Sequence, residues 1–155
     1  MRLDDILDPN TIVVAMKAAD RYEAIDELID CLVRAGKIRP EHRDAVAAVV
    51  KRRETSMSTG IGFGIGIPHG TTDLVQDVVG AFGRSPAGLS FEALDNLPVT
   101  LVMLFLVPQG QFQKHLHTLA QIANLLRQDQ FRQALEQAPD AEAMFRIIKE
   151  NSGTR

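Results

Sequence analysis

The sequence predicts an α/β fold, a layered domain in which helices pack against a β-sheet. Residues 99–107 are almost continuously apolar, and a run of that length is typical of a central strand covered on both faces. Other β-branched runs alternate with segments of helical spacing along the chain, as in layered α/β domains. The 155 residues suffice for one domain with a sizeable core, which we place at 1–150, followed by a disordered tail at 151–155.

The first third of the chain is predicted to hold a strand and a long helix. Residues 3–7 form a short amphipathic turn, and the β-branched run 11–15 is typical of a strand. Asp20 can cap the helix that follows, and Gly36 ends it. The apolar positions of this helix recur at helical spacing: Ala24, Ile25, Leu28, Ile29, Leu32 and Val33.

A second helix is predicted to begin at Pro40, because proline is favoured in the first helical turn. His42 lies in that turn among charged residues, and we expect it to be solvated. The helix ends in a basic cluster: Lys51, Arg52 and Arg53. Two interpretations of this cluster remain open. It can complement the negative end of the helix dipole, or it can place an arginine beside an anion near His69.

The second half of the chain continues the alternation of strands and helices. Residues 77–83 are predicted to form a strand, and 85–88 and 95–96 are predicted to be turns. Three helices should follow the buried strand, at about 112–127, 129–137 and 140–149.

Composition and charge exclude several functional classes. The net charge of −3 argues against a nucleic-acid-binding protein, which usually presents a basic face. No segment approaches the roughly 18 apolar residues of a membrane span, and the acidic N-terminus is unlike a secretion signal. Cys31 is the sole cysteine, so no internal disulfide can form, and we expect this residue to pack within a helix. These observations predict a cytoplasmic protein without membrane insertion.

The most unusual segment is 58–70, in which glycine occupies every second position from Gly60 to Gly66 and the run ends in Pro68, His69 and Gly70. If the segment is extended, the intervening apolar side chains share one face and the other face exposes backbone N–H donors. Pro68 would then present the His69 imidazole rigidly beside open backbone. The alternative is a flexible loop that carries a surface histidine. Neither a P-loop nor a dinucleotide-binding fingerprint fits the glycine spacing.

A second candidate histidine opens the helix after the buried strand. His115 and His117 lie about 200° apart around a helix, so they cannot share one site. His115 falls at the edge of the predicted apolar face and His117 projects away from it, so His115 is the better site candidate. That face is formed by Phe112, Leu116, Leu119, Ala120, Ile122, Ala123 and Leu126. The alternative for His115 is a helix-boundary histidine with its polar tip in water.

Two kinds of chemistry are compatible with these residues. His69 can be a nucleophile that attacks phosphorus and holds a labile phosphoryl group, with His115 and Arg53 as supporting groups. Alternatively, His69 and His115 can be metal ligands. A metal site normally needs three or four ligands, and no motif in the sequence completes such a set. The residues therefore favour phosphoryl chemistry.

Three ordered blocks of sequence resemble the IIA domain of the fructose/mannitol class (type 2) of the phosphoenolpyruvate-dependent phosphotransferase system, which includes the nitrogen-regulatory IIA proteins. The resemblance covers nearly the whole chain. The blocks comprise Arg53-Glu54 with most of 58–70, then Gly88, Phe91, Asp95 and Pro98-Val99, then His115-Leu116 with Leu119, Ile122 and Ala123.

The resemblance implies a fold, a function and site residues. The implied fold is a mixed β-sheet sandwiched between helices in a single three-layer domain. His69 matches the histidine that accepts a phosphoryl group from phosphorylated HPr or its nitrogen-branch counterpart. His115 matches a second histidine that stabilises the phosphoryl group, and Arg53 matches an arginine near the site that can contact an anion. No cofactor and no metal is implied.

The resemblance leaves the biological branch open. A sugar-transport IIA passes phosphate to a IIB protein, whereas a regulatory IIA binds target proteins according to its phosphorylation state. One domain fills the sequence, so we expect a regulatory, nitrogen-type protein, with Phe63 and Ile65 as docking residues if they are exposed. An interaction domain without phosphotransfer is a third possibility. Phe63, Gly66 and Lys114 depart from the family pattern, and Gly66 is expected to loosen the backbone before Pro68.

Overall fold

The computed structural model describes residues 2–152, which form one mixed β-sheet between two layers of helices. The helices are α1 (Leu3–Ile6), α2 (Arg21–Arg34), α3 (Arg43–Ser56), α4 (Phe112–Leu126), α5 (Asp129–Gln137) and α6 (Ala141–Ser152). The strands are β1 (Ile12–Val13), β2 (Gly60–Gly62), β3 (Ile65–Gly66), β4 (His69–Thr72), β5 (Val79–Leu89) and β6 (Val99–Pro108). The predicted α/β fold and its three layers are confirmed.

The β6 strand is the centre of the sheet. The strand order is β1-β5-β6-β3-β2, and β4 also pairs with β6, beyond the end of β3. β5 runs antiparallel to β6, whereas β3 and β4 run parallel to it, so the sheet is mixed. β6 is therefore hydrogen-bonded on both edges, as its continuous apolar sequence predicts.

Alternate side chains of β6 build two separate hydrophobic cores. Leu101, Met103 and Phe105 point to the face covered by α1, α4, α5 and α6. Val102 and Leu104 point to the opposite face, where α2 and α3 pack. Because successive side chains of a strand face opposite sides, one apolar strand holds both helical layers on the sheet.

In the layer formed by α2 and α3, the helix α2 begins and ends where the sequence predicts. The Asp20 carboxylate accepts a hydrogen bond from the backbone N–H of Glu23 at 2.9 Å, and Gly36 adopts a φ of 77° after α2. Cys31 is buried within α2 and donates its thiol hydrogen bond to the Asn10 carbonyl at 3.3 Å, which confirms a packing position. His42 is only half exposed, and its Nδ1 atom is buried without a hydrogen-bond partner in the described structure, so the prediction of a solvated side chain is wrong.

The glycine segment differs from the prediction of one continuous extended run. β2 and β3 form an antiparallel hairpin, and the turn between them places Gly62, Phe63 and Gly64 at positive φ values of 90°, 59° and 77°. The turn reverses the chain and exposes Phe63 at its tip, while the three isoleucines of the segment pack against the same hydrophobic core. Gly64 and Gly62 supply the backbone freedom that this reversal requires.

Other boundaries also differ from the predictions. β5 continues through 85–88, where a turn was predicted, and β1 is shorter than the predicted strand 11–15. Asn151 and Ser152 belong to α6 rather than to the predicted tail, and 153–155 lie outside the described residues. None of the helices in the described range is both long and apolar enough to cross a membrane.

Candidate phosphoryl-transfer site

His69 is the first residue of β4, and its backbone pairs in register with Phe105 of the central strand. Its side chain is 9% exposed. The Nδ1 atom lies 2.9 Å from the carbonyl oxygen of Ile67. A carbonyl oxygen can only accept a hydrogen bond, so we assign the proton to Nδ1. The lone pair of the neutral ring is then on Nε2.

His69 borders a cleft of about 490 Å³ between α3, β4 and the start of α4. The helix α3 contributes Val49, Arg52, Arg53 and Ser56; β4 contributes His69, Gly70 and Thr71; α4 contributes Phe112. The structure therefore brings together two of the predicted site residues, His69 and Arg53. Arg52 and Arg53 line the cleft with the imidazole, as the functional interpretation of the basic cluster expects, whereas Lys51 pairs with Asp26.

The electrostatics of the cleft favour a neutral imidazole and an anionic ligand. Burial lowers the pKa of His69, and the positive charge of Arg53 lowers it further, while the Ile67 hydrogen bond and Glu54 act in the opposite direction. Neither Arg52 nor Arg53 forms an ion pair with another residue in the described range 2–152. Their guanidinium groups are therefore available to an anion.

A buried carboxylate holds the start of the glycine segment against α3. Glu54 is fully buried, and it accepts hydrogen bonds from the backbone N–H of Thr59 at 2.9 Å and from the Thr59 hydroxyl at 2.6 Å. Arg21 lies 3.4 Å from the same carboxylate. The sequence pattern identifies Glu54 only as part of a motif, because its partner Arg21 is 33 residues away.

Phe112 covers one side of the His69 ring. The two ring centroids are 5.9 Å apart, and the ring planes differ by 16°, which is a stacked arrangement. The sequence places Phe112 in the apolar face of its helix and does not reveal this contact. The one feature that could have indicated a site position is that Phe112 lies one helical turn before His115.

His115 is buried, at 8% exposure, but it does not line the cleft among the described residues. Burial lowers the pKa of His115, and the neighbouring Lys114 lowers it further. The buried row of α4 consists of His115, Thr118, Ile122 and Leu126, whereas Leu116 is 45% exposed. The predicted apolar face is thus rotated, and His115 lies within the buried row rather than at its edge. His117 is exposed, as predicted.

The two docking candidates occupy different environments. Ile65 is completely buried, so it does not meet the condition for docking. Phe63 is 57% exposed at the tip of the hairpin, where the Arg132 guanidinium lies 5.3 Å from its ring centroid. Residues 2–152 contain no group of three or more histidine, cysteine or acidic side chains that could hold a metal ion.

The fold and the cleft define a class of protein: an α/β domain with a buried, neutral imidazole beside two arginines. Known proteins give the family. The family model for the phosphoenolpyruvate-dependent sugar phosphotransferase system, EIIA 2, matches residues 5–151. The chain belongs to this family, whose members act as phosphocarriers.

Individual relatives come from both branches of the family. A nitrogen regulatory protein of Bradyrhizobium diazoefficiens is 33% identical over 148 residues, which cover 96% of this chain and 95% of that protein. A fructose-specific EIIABC component of Bacillus subtilis is 34% identical over 151 residues, which cover 97% of this chain but 24% of that protein. The crystal structure of nitrogen regulatory protein IIA-Ntr from Neisseria meningitidis has a TM-score of 0.84 at 30% identity, covering 94% of this chain and 98% of that one.

Proposed function

We propose that the protein is a phosphohistidine carrier that accepts a phosphoryl group on Nε2 of His69 from phosphorylated HPr or its nitrogen-branch counterpart. The hydrogen bond from Nδ1 to the Ile67 carbonyl carries this proposal, because it leaves the lone pair on Nε2 in a ring that borders the basic cleft. The low pKa of His69 supports the proposal, since only the neutral imidazole is a nucleophile.

The transfer is an in-line displacement at phosphorus. The Nε2 lone pair forms the new N–P bond, and the N–P bond of the donor phosphohistidine breaks with its electron pair returning to the donor imidazole. The proton of His69 stays on Nδ1, where the Ile67 carbonyl stabilises the positive charge that the phosphorylated ring acquires. No general base is needed, because the attacking nitrogen carries no proton.

The remaining site residues act on the phosphoryl oxygens. Arg53 supplies an anion contact, and Arg52 adds a second positive charge on the same wall of the cleft. The backbone N–H of Thr71 is a further candidate for this role, because it points away from β6 in the parallel ladder, whereas the N–H of Gly70 is hydrogen-bonded to β6. We assign His115 a supporting role on the basis of the family resemblance, and its variant is the test of that assignment.

We further propose that the protein is a cytoplasmic, regulatory, nitrogen-type IIA whose docking to target proteins depends on phosphorylation. The similarity to nitrogen regulatory proteins along nearly the whole chain supports this branch. The alternative is a sugar-transport IIA that passes phosphate to a fructose- or mannitol-type IIB protein, and the similar identity to a fructose-specific component supports that alternative. Phe63 is the candidate docking residue that remains exposed.

Phosphotransfer with purified components tests the proposal. The protein is incubated with phosphoenolpyruvate, enzyme I and HPr or its nitrogen-branch counterpart, and acid-labile phosphate is mapped in wild type, His69→Ala, His115→Ala and Arg53→Ala. Labelling should appear in wild type and disappear in His69→Ala. His115→Ala and Arg53→Ala should be labelled more slowly, by roughly 100- to 1,000-fold, if each loses one stabilising contact.

Two further measurements make the test specific. The ³¹P spectrum of the labelled protein should show phosphate on Nε2 rather than Nδ1. Adding a fructose- or mannitol-type IIB protein to the labelled protein discriminates between the branches, because only a sugar-transport IIA should discharge rapidly to it. If no cognate carrier labels wild type, the phosphocarrier proposal fails and the protein is an interaction domain that does not transfer phosphate.

A further inference from the structure

We propose that Phe112 is a positioning residue that holds the His69 ring in place and keeps water away from the phosphoryl group bound there. This inference rests on the proposed phosphorylation of His69. It begins from the stacked contact, in which the ring centroids are 5.9 Å apart and the planes are inclined by 16°.

The position of Phe112 follows from the way the chain leaves the sheet. β6 ends at Pro108, which pairs in register with Thr72 at the end of β4. The backbone N–H of Gln109 donates a hydrogen bond to the Thr72 carbonyl at 2.9 Å. Gly110 then turns the chain with a φ of 84°, and α4 starts at Phe112. The side chain of Phe112, the first residue of α4, therefore lies beside β4 and contacts His69.

The stacked contact with Phe112 restrains movement of the imidazole out of its ring plane, which the hydrogen bond to Ile67 does not restrain. That hydrogen bond holds the ring at Nδ1, within the ring plane, while Phe112 covers a face. The Nε2 edge stays directed away from Nδ1 and free of both contacts. A donor can thus reach Nε2 in the ring plane while the two contacts restrain the orientation of the ring, which is the arrangement that a near-attack geometry requires.

The same contact removes solvent from beside the reacting nitrogen. A phosphohistidine loses its phosphate when water attacks phosphorus, and an apolar ring next to the imidazole displaces water from that neighbourhood. The low pKa of His69 agrees with a ring that is desolvated, although Arg53 and Glu54 also act on it. Phe112 is half-buried, so its truncation should leave the fold intact.

The test compares wild type with Phe112→Ala, Phe112→Tyr and Phe63→Ala. Tyrosine keeps the stacked ring, and Phe63→Ala is a matched truncation of an exposed phenylalanine elsewhere. Ile65 pairs with Leu101 and His69 with Phe105, so the two positions are about 13 Å apart along β6 at about 3.3 Å per residue. Phe63 precedes Ile65 in the hairpin turn, beyond the pairing of β3 with β6.

The first measurement is an NMR titration of the His69 ring, which needs no phosphorylation. Phe112→Ala should raise the pKa of His69 towards its ordinary value because water gains access to the ring, whereas Phe112→Tyr and Phe63→Ala should titrate like wild type. An unchanged pKa in Phe112→Ala, or a change of the same size in Phe63→Ala, overturns the proposal.

The second measurement is the lifetime of the phosphoryl group on His69. Phosphoramidate, a small-molecule donor, loads the imidazole without a carrier protein, so this measurement is independent of whether HPr is the physiological donor. Phe112→Ala should shorten the half-life of phospho-His69 at least about threefold relative to wild type. Equal half-lives in these two proteins overturn the shielding role even if HPr labels both of them.

Discussion

Gly66 lacks a side chain because the ring of Phe91 occupies the space where one would project. A Cβ atom built on Gly66 would lie 2.7 Å from Cζ of Phe91, which is completely enclosed in the core beside the sheet. The sequence pattern predicts that Gly66 loosens the backbone before Pro68. The structure shows instead that Gly66 permits close packing directly beneath the segment that carries His69.

Gly66→Ala is therefore expected to destabilise the protein. The added methyl group must displace the Phe91 ring, and overpacking of this kind costs about 1–3 kcal/mol. Urea unfolding of the variant measures the change in the free energy of unfolding. Gly36→Ala is not a suitable control, because Gly36 has a positive φ that alanine adopts poorly. The control is Ala48→Gly at an exposed position of α3, which should lower the free energy of unfolding by about 1 kcal/mol through helix propensity alone. A wild-type midpoint for Gly66→Ala would contradict the packing argument.

Glu54 joins three segments that meet beside the cleft. It lies on α3, pairs with Arg21 at the start of α2, and accepts two hydrogen bonds from Thr59 ahead of β2. Arg21 also pairs with Glu92 at 2.7 Å. The carboxylate is shielded from water, so each of its contacts contributes more than an exposed ion pair would.

Glu54→Ala is expected to lower the free energy of unfolding by about 3 kcal/mol, because the change leaves Arg21 and Thr59 without their buried partner. Denaturant unfolding measures this loss. The matched control is Glu41→Ala, which removes a carboxylate from an exposed ion pair with Arg39 and should change stability by less than about 1 kcal/mol. Similar losses in the two variants would show that the network around Glu54 is not a stabilising one.

At the level of elements, α5 is held to the sheet by one arginine of β5. Arg84 donates hydrogen bonds to the carbonyl oxygens of Leu135 at 2.8 Å and Ala138 at 2.7 Å, at the end of α5. Its Nε atom donates to the Val14 carbonyl at 3.0 Å. Carbonyl groups at the end of a helix, such as those of Leu135 and Ala138, have no partner within the helix, so the Arg84 guanidinium provides their hydrogen bonds.

Arg84→Met is expected to destabilise the protein by about 2 kcal/mol, because methionine keeps the apolar length of the side chain but leaves the α5 carbonyls without a charged donor. Hydrogen exchange should show increased opening of α5. Arg146→Met provides the control, since it removes an arginine that lies on α6 and makes no hydrogen bond within residues 2–152. Unchanged protection of α5 in Arg84→Met would contradict this role.

Elements with a strong internal pattern were predicted well. α5 has the predicted bounds of 129–137, and β6 extends the predicted strand by one residue. The strand β5 was predicted too short because proline and glycine at 85–88 are typical of turns. In the structure β1 ends at Val13, which pairs with Gly83, so within residues 2–152 β5 has no strand neighbour on that edge beyond this point. An edge of this kind tolerates a proline, which has no N–H to donate.

At the scale of the whole molecule, the buried histidines couple folding to pH. Burial lowers the pKa values of both His69 and His115 below the ordinary value of 6.5. The unfolded chain therefore binds more protons than the folded protein as the pH drops below about 6.5. Stability is then fully present above that pH and declines as the pH falls towards the folded pKa values.

The free energy of unfolding should accordingly decrease as the pH falls below about 6.5, and the decrease should be smaller in His69→Asn. Asparagine can still donate a hydrogen bond to the Ile67 carbonyl but does not titrate. Urea unfolding at a series of pH values measures the slope. His117→Asn, which removes an exposed imidazole, should keep the wild-type slope. Equal slopes in His69→Asn and wild type would contradict the proposed desolvation of His69.

From the sequence alone follow the layered α/β architecture, the central position of β6, the ends of α2 and the choice of His69 as a candidate site residue. Each of these depends on a pattern within one segment: continuous apolar character, helical spacing, a capping residue or a proline before a histidine. Local sequence determines such features because backbone preferences and side-chain periodicity act over a few residues.

The side chains around His69 and the hairpin of the glycine segment follow only from the tertiary structure. Phe112 lies 43 positions after His69, Glu54 reaches Arg21 across 33 positions, and Arg84 reaches α5 across more than 50. The hairpin at 60–66 depends on pairing with β6 and on space beside Phe91. Contacts between distant segments depend on the packing of the sheet and its two helical layers, and no periodicity along a single segment encodes them.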